Sequence, residues 1–342
     1  PEAAQRKPLI PYLLNLHDVY RALLTARNAR GAVDFETTET QIVCDESGRI
    51  EKIVPRTRND AHKLIEEAML AANVCSADFI GEGKHTGLFR VHEGPTPEKQ
   101  DILRNYLKAM GVTQTISDNP HPSEFQQIAQ ATKDRPESQQ IHTMLLRSMS
   151  QAIYTPMNEG HFGLAFEAYT HFTSPIRRYP DLLVHRAIKH ALSGKPLEKF
   201  TYTQREMAAL ALQCSERERR ADEAEREVDE RYRAAWMEKH VGGQFEGVIS
   251  GVTSFGLFVE LDESKVNGLV HVTQLPHDYY QFDATRKTLS GERRGKAYRL
   301  GDRVRILVLK ASMEERKIDF RLVEEQGDEV AELPPRGQPA KR

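Results

Sequence analysis

The run from His171 to Leu182, with the sequence HFTSPIRRYPDL, holds the residues with the clearest capacity for chemistry. Two adjacent arginines, Arg177 and Arg178, lie there beside the hydroxyl groups of Thr173, Ser174 and Tyr179. A guanidinium offers a planar fork of donors to phosphate oxygens, and the N–H groups at a helix start attract anions. The run therefore predicts a clamp for a phosphate, and the rest of the chain indicates an RNA phosphate.

Two prolines divide this run and stiffen it. Pro175 suits the first turn of a helix with Ser174 as its N-cap, and Pro180 suits a second helix start. Such a kinked element would hold both arginines in place, as the stabilisation of charge in a transition state requires. A surface ion pair at the start of an ordinary helix explains the same spacing about as well.

A second candidate site lies on the helix predicted to begin near Asn59 or Asp60. Helical spacing places Glu66 and its neighbour Glu67 about two turns before Asn73. Carboxylate and amide groups on one face are suited to bind ribose hydroxyls, which makes both glutamates candidate RNA contacts. A solvated polar helix face is the simpler explanation of the pattern alone.

Two further candidates are a short strand and a small barrel. In the strand predicted from Leu88 to His92, Arg90 and His92 project to one side and would line a phosphate track, or form a plain surface pair. In the barrel, aromatic rings would stack on bases while cations neutralise phosphates. We expect one of the two phenylalanines to fill the barrel core instead. The candidate side chains are Phe255, Phe258, His271 and Lys317, with Lys287, Arg293, Arg294, Arg303 and Arg305 nearby in sequence.

The sequence lacks a recognisable set of the metal ligands that a phosphodiesterase usually needs. Hydrolysis of a phosphodiester near neutral pH usually takes magnesium held by several clustered carboxylates. The sequence has no Asp-x-Asp-Asp cluster and no HExxH, GxSxG or phosphate-binding glycine loop. The chain is thus predicted to bind and orient RNA without supplying metal ligands.

Periodicity predicts an α+β chain, helix-rich at first and ending in a five-stranded barrel of the OB type. The predicted helices cover 8–30, 60–80, 97–110, 122–133, 136–154, the residues after Pro180 up to 192, and 203–240. The predicted strands before the barrel are a hairpin within 33–54, the strand 88–92, and 163–169. The predicted barrel strands are 245–249, 255–261, 268–272, 303–309 and 318–322. We expect one unit at 1–240, the barrel at 241–325 and a disordered tail at 326–342.

Composition limits the classes of protein that fit. The 342 residues carry a net charge of −2, so any surface for nucleic acid must be local. No apolar run reaches the length of a membrane span and no signal peptide precedes the first helix, so no membrane partner is expected. The three cysteines are widely separated and indicate a reducing, cytoplasmic location. The chain starts without methionine, which suggests a piece of a longer protein.

Several of these motifs together resemble the RNase II exoribonucleases, the RNB family. The resemblance rests on Gly160–Leu164, the arginine run as far as His185-Arg186, Asn59–Glu67 and Ala221–Arg226. It extends from about residue 8 to about 324, because Phe255–Val259 and Gly268–Val272 are similar to the RNA-binding barrel first named for a ribosomal protein. It implies a C-terminal part of a mixed, helix-rich catalytic domain followed by that barrel.

The resemblance also implies an activity and residue roles. Members of the family hydrolyse RNA processively from the 3′ end to nucleoside 5′-monophosphates, acting on single strands and on structured RNA with a 3′ tail. Arg177 matches the catalytic arginine, the Glu66-Glu67 pair covers a ribose-binding position, and Glu225 falls near a glutamate that affects RNA handling. The magnesium-binding aspartates of the family lie upstream of the motifs seen here, so the ligands are expected in a missing N-terminal half.

Two functions therefore remain open at this point. The intact protein, expected to be a monomer, would be a magnesium-dependent exoribonuclease in which this chain is inactive alone. Alternatively, the segment is an RNA-binding clamp without catalytic activity of its own. A possible partner is the missing half itself, bound noncovalently.

Overall fold

The computed structural model describes residues 2–33, 39–56, 58–135, 137–293 and 295–323. The expected tail at 326–342 and the side chain of Arg294 lie outside these ranges. A helix-rich part with two small β-hairpins leads through one long helix into an all-β part. No helix within the described ranges combines the length and the apolar character that a membrane crossing needs.

The first long helix leaves much of its apolar surface uncovered. A short α1 (Glu2–Gln5) and a 3₁₀ turn (Lys7–Leu9) lead into α2 (Ile10–Arg30). The helix ends because Gly31 adopts a left-handed conformation with φ of 84°, which suits glycine at a C-cap. The exposed apolar face of α2 consists of Leu9, Tyr12, Leu13, Leu14 and Val19, each more than half exposed. Contiguous exposed apolar surface of this kind marks an interaction site.

A hairpin and a long helix follow. The strands β1 (Thr40–Cys44) and β2 (Ile50–Pro55) pair antiparallel. Helix α3 (Asp60–Glu82) starts at Asn59, whose side chain and that of His62 form a reciprocal capping box. Both elements confirm the predicted hairpin and helix, although residues 34–38 of the predicted hairpin lie outside the described residues.

Two short strands and three helices form the middle of the helix-rich part. Strand β3 (Phe89–Val91) pairs with β4 (Ile153–Thr155), and the helices between them share a core around Leu103, Phe125 and Leu145. The helices are α4 (Pro97–Ala109), α5 (Pro122–Thr132) and α6 (Ser138–Ser148).

Two predictions for this region are wrong. The helix expected over 136–154 ends at Ser148, because Ile153–Thr155 pair with β3. Residues 163–169, expected to be a strand, form turns closed by an isolated bridge between His161 and Phe166. Periodicity cannot separate a short strand from such a turn when both are partly buried.

One helix joins the two parts. After α7 (Tyr179–Leu192) and a 3₁₀ turn (Leu197–Lys199), α8 (Gln204–Glu238) has 35 residues and is about 52 Å long. Its first half packs against α7 through Met207 and Ala211, and its last turns enter the barrel core through Ala234 and Met237. Arg233 donates to the carbonyl oxygen of Ser264 at 3.1 Å and to the hydroxyl of Thr40 at 2.7 Å, which ties barrel and β1 together.

The remaining residues form eight strands. Their bounds are β5 (Gln244–Thr253), β6 (Gly256–Leu261), β7 (Asn267–His271), β8 (Tyr280–Asp283), β9 (Thr288–Gly291), β10 (Ala297–Arg299), β11 (Arg303–Ser312) and β12 (Lys317–Leu322). Five of them close a barrel in the order β11-β12-β7-β6-β5, in which only the β12–β7 pair is parallel. The predicted α+β fold with a five-stranded barrel is confirmed, and residues such as Leu257, Val259 and Phe320 fill its core.

A second, three-stranded sheet in this part was not predicted. It has the order β10-β9-β8 and packs on the barrel core through Leu289 and Tyr298. Its strands have only three or four residues, too few for an alternating pattern to stand out. We call it the side sheet.

Candidate nucleic-acid interface

Residues 171–178, here named the arginine segment, are held in place by side chains of two helices. The amide oxygen of Asn73, fully buried on α3, accepts from the backbone N–H of Phe172 at 2.9 Å. His185 on α7 donates to the carbonyl oxygen of Phe172 at 2.9 Å and stacks on its ring with centroids 4.1 Å apart. The start of the segment therefore has a single, well-fixed position.

Asp181 fixes the other end of the segment. Its carboxylate is fully buried, and Oδ1 accepts from the N–H of Ser174 at 2.7 Å and from Nη2 of Arg178 at 2.8 Å. Ser174 in turn accepts from the N–H of Arg178 at 2.9 Å through its carbonyl oxygen. Ser174 is thus not the N-cap of a helix that begins at Pro175, because its N–H bonds the aspartate and the chain turns before α7 begins at Tyr179.

The two arginines consequently have different environments. Arg178 is partly buried and paired with Asp181. Arg177 is exposed, and its guanidinium forms no hydrogen bond or ion pair with any residue in the described ranges. Thr173 is also exposed, and Tyr179 is 42% exposed with a hydrogen bond to Tyr202, which raises the pKa of Tyr179. Arg177 is therefore the group of the segment available to a ligand, and its catalytic role stays a prediction.

Four rings in a row, here named the ring ladder, end at the start of the arginine segment. They belong to His92, His161, Tyr169 and His171. Ring centroids are 4.9 Å apart for His92–His161, 5.2 Å for His161–Tyr169 and 5.8 Å for Tyr169–His171. The hydroxyl of Tyr154 is hydrogen-bonded to Nδ1 of His171 at 2.8 Å. Burial lowers the pKa of His171 to about 3, with further lowering by the charge of Arg178, and burial likewise lowers the pKa of His161 to about 3. The ladder is therefore neutral near pH 7.

Arg90 and His92, the predicted phosphate track, are both engaged within the protein. Arg90 forms an ion pair with Glu218 of α8 at 2.7 Å and lies over the ring of Tyr154 at 4.6 Å. Nδ1 of His92 accepts from the N–H of Gly163 at 3.0 Å, and Nε2 donates to the carbonyl oxygen of Ser150 at 2.7 Å. Both ring nitrogens of His92 thus bind backbone, and the present contacts favour a structural role for it.

The structure distinguishes the two glutamates of α3. Glu67 is buried, and its Oε1 lies 2.7 Å from Nη1 of Arg27 on α2. Glu66 has a side chain that is 32% exposed, lies 3.4 Å from the same Nη1 and also pairs with Arg58. Glu66 is therefore the more exposed of the two and the better candidate for a ribose contact, although both of its oxygens are paired with arginines, whereas Glu67 joins α2 to α3.

The outer face of β6, β7 and β12, here named the stacking face, carries aromatic rings at the surface. Phe255 is 47% and Phe258 36% exposed, and their rings meet edge to face at 6.1 Å. The expectation that one of them fills the core is wrong, because the alternating neighbours Leu257 and Val259 point inward. His271 is exposed on the same face, opposite Gly256.

Cations complete the stacking face from β12. The parallel pairing of Asp319 with Leu269 places Lys317 and Arg321, both exposed, on the outer face beside β7. Arg321 escaped the sequence analysis, although strict alternation with Lys317 in KIDFRL was the available signal. The stacking face thus carries Phe255, Phe258, His271 and Lys317, and it adds Arg321; their contact with RNA stays a prediction.

Other predicted groups lie elsewhere. Arg303 forms a two-bond ion pair with Asp262 at 3.0 and 2.6 Å, and Arg305 pairs with Glu246 at 2.6 Å. Lys287 and Arg293 belong to the side sheet rather than to the stacking face. Glu225 is exposed on α8 and lines a cleft of about 720 Å³ between that helix and the barrel. These residues are not gathered around Arg177.

Comparison with known proteins finds a related family for the helix-rich part and for the barrel. A family model of the RNB domain matches residues 1–194, and one of the S1 RNA binding domain matches residues 238–322. Ribonuclease R of Escherichia coli K12 is 46% identical over 327 residues, which cover 93% of this chain and 40% of that protein. Ribonuclease R of Thermotoga maritima is 42% identical over 326 residues, which cover 93% and 45%. The chain therefore spans less than half the length of these relatives.

A solved structure gives the same result. RNase R of Mycoplasma genitalium in complex with ribose-methylated single-stranded RNA superposes with a TM-score of 0.86 at 27% identity. The match covers 93% of this chain and 50% of that one. The resemblance that the sequence motifs carried is confirmed.

The ring ladder generates a prediction about acid stability. Because the folded-state pKa of His171, about 3, lies below the ordinary histidine value of 6.5, only the unfolded chain gains a proton as the pH falls through that interval. Stability is therefore lost from pH 6.5 downward, by no more than about 1.4 kcal/mol per pH unit for this group. His171→Asn keeps an acceptor for Tyr154 and should flatten this dependence in urea unfolding. His277→Asn, at an exposed position, is the matched control, and equal slopes for all three proteins would contradict the prediction.

Proposed function

Because the chain belongs to the RNB domain family, we propose that it works as part of a 3′-to-5′ exoribonuclease of the ribonuclease R type. The intact enzyme would hydrolyse single-stranded RNA, and structured RNA with a 3′ tail, processively to nucleoside 5′-monophosphates. The observation that carries the proposal is the arginine segment, where Phe172, Ser174 and Arg178 are held by hydrogen bonds while the exposed guanidinium of Arg177 pairs with no residue in the described ranges.

Within this function the residues of the site would have different roles. Arg177 would stabilise the charge that develops on the scissile phosphate, because a preoriented cation needs no reorganisation as the charge forms. Asp181 and Asn73 would keep the segment rigid, since both are fully buried and bonded to its backbone. Glu66 is proposed to contact the terminal ribose.

The stacking face would hold the incoming strand. Base stacking on Phe255 and Phe258 is independent of base identity, and Lys317 and Arg321 would neutralise phosphates. The related Mycoplasma genitalium protein is solved with single-stranded RNA, which supports the same ligand here. These contacts would let the chain bind RNA of any sequence.

Magnesium, which the family implies, does not fit the residues described. No group of three or more His, Cys, Asp or Glu side chains within the described ranges is arranged to hold a metal ion. We propose that the metal ligands belong to an upstream part of the catalytic domain. Its docking surface would be the exposed apolar face of α2, which a complete domain would bury.

Three further statements belong to the proposal. The chain would divide into a catalytic portion at 1–240 and an RNA-binding barrel at 241–325, in agreement with α8 ending at Glu238. The enzyme would be cytoplasmic, which the three free cysteines support. It would act as a monomer.

The alternative function is an RNA clamp without catalytic activity of its own. The absence of a metal cluster in the described ranges favours it, and the stacking face would serve both functions equally. The two differ on whether cleavage appears when the missing ligands are supplied.

A gel time course separates the two functions. We expect the purified chain to shift 3′-tailed single-stranded RNA without shortening it in magnesium. Adding the upstream portion of the catalytic domain in trans should restore stepwise shortening to monophosphates. Leu13→Glu on α2 should weaken that restoration while leaving RNA binding unchanged, because a charge is buried unfavourably at the docking surface. Cleavage by the chain alone would contradict the expected division of the site.

Arg177→Ala tests the catalytic role. In the reconstituted enzyme, loss of a group that acts on transition-state charge should lower the cleavage rate by roughly 100-fold or more while RNA affinity changes little. Lys195→Gln, at an exposed turn after α7, controls for loss of a surface cation. Equal losses in rate and affinity would make Arg177 a docking contact only.

Phe258→Ala tests the stacking face. The ring is exposed, so barrel stability should be nearly unchanged, while single-strand affinity should fall by about 1–3 kcal/mol. Fluorescence anisotropy with labelled RNA and a thermal melt provide the two readouts. Affinity equal to that of the unsubstituted chain would remove Phe258 from the RNA interface.

A further inference from the structure

The side sheet concentrates positive charge and aromatic rings outside the stacking face. Residues 279–299 contain six lysines and arginines but only two acidic residues, whereas the whole chain has 48 basic and 50 acidic side chains. Four aromatic residues lie in the same stretch, namely Tyr279, Tyr280, Phe282 and Tyr298. A local excess of this kind in a chain of net charge −2 indicates an anionic ligand.

Two cations of the side sheet lie over aromatic rings, whereas Arg286 lies 4.0 Å from the carboxylate of Asp283. The guanidinium of Arg293 lies 5.1 Å from the ring centroid of Tyr279, and the ammonium of Lys287 lies 5.9 Å from that of Phe282. Tyr279 is 66% exposed, and Arg293 is exposed without an ion pair to any residue in the described ranges. The barrel arginines differ, because Arg303 and Arg305 are each paired with a carboxylate.

We propose that the side sheet is a second contact for single-stranded RNA, in addition to the stacking face. The inference rests on the proposed function and adds a site to it. Tyr279 stacks on a base, while Arg293 neutralises an adjacent phosphate and stays packed on the ring. Because rings and phosphates occur in every nucleotide, the contact is independent of sequence, and it lengthens the RNA that the chain holds.

Strand length and salt distinguish this site from the stacking face. An OB fold alone covers roughly 4–16 nucleotides. An oligouridylate of about 5 nucleotides, near the lower limit of that range, is expected to occupy only the stacking face, whereas one of about 20 reaches both sites. Each phosphate contact that is lost should lower the slope of log affinity against log salt by about 0.7 for a single strand.

The test is anisotropy titration of both oligouridylates with the full chain and the double variant Tyr279→Ser/Arg293→Gln. We expect the double variant to bind the long RNA roughly 10-fold more weakly, which corresponds to the loss of one stacked base, and with a reduced salt slope. Its binding of the short RNA should be unchanged. Phe258→Ala should weaken both RNAs, and Lys195→Gln neither. Thermal melts check folding, which the exposure of both substituted side chains should leave intact.

Three results would overturn the inference. If the double variant binds the long RNA with the same affinity and salt slope as the unsubstituted chain, the side sheet is excluded as an RNA contact. Its positive charge would then serve a protein partner. Equal losses for short and long RNA would make it part of the stacking face. An unsubstituted chain that binds neither RNA would overturn the proposed function, and the inference with it.

Discussion

The buried carboxylate of Asp181 is the interaction on which the candidate site depends. A charge removed from water is costly unless it is paired and hydrogen-bonded. Oδ1 of Asp181 is bonded by Arg178 and by the backbone N–H of Ser174, whereas the buried Oδ2 has no partner among the described residues. The same bonds that make its burial tolerable therefore fix the arginine segment. Because Arg178 is paired with Asp181, its neighbour Arg177 is the exposed cation of the segment. The pairing of Arg178 inside the protein thus leaves Arg177 as the arginine that is available to a ligand.

The anchors of the site come from distant parts of the chain, and this decides how much of it was predictable. The long helices follow from residue types and local periodicity and agreed with the prediction, whereas one of the two stacking rings and the helix start at Pro175 were placed wrongly. Partners 96 or 128 residues apart, such as Asn73 with Tyr169 or Arg90 with Glu218, leave no trace in local spacing. His92 shows the result, because its strand position indicated an outward ligand while its ring nitrogens bind two loops.

Charge distribution is the second property that the sequence alone concealed. A net charge of −2 gives no hint that Arg303 and Arg305 of β11 are paired with carboxylates while Arg293 beside the side sheet lies over an aromatic ring. The side sheet itself was missed because its strands are as short as three residues, and its cations were assigned to the barrel by proximity in sequence. Which cation serves structure and which remains for a ligand depends on three-dimensional pairing.

Helix α8 gives the molecule a fixed unit of length. It contacts Arg90, beside the arginine segment, through Glu218, and the barrel through Arg233, fifteen residues and about 22 Å later. An uninterrupted helix neither stretches nor shortens on this scale, so it acts as a ruler between Arg90 and the barrel loop that Arg233 bonds. In the proposed enzyme, an RNA strand held by both parts of the chain would therefore span a constant length.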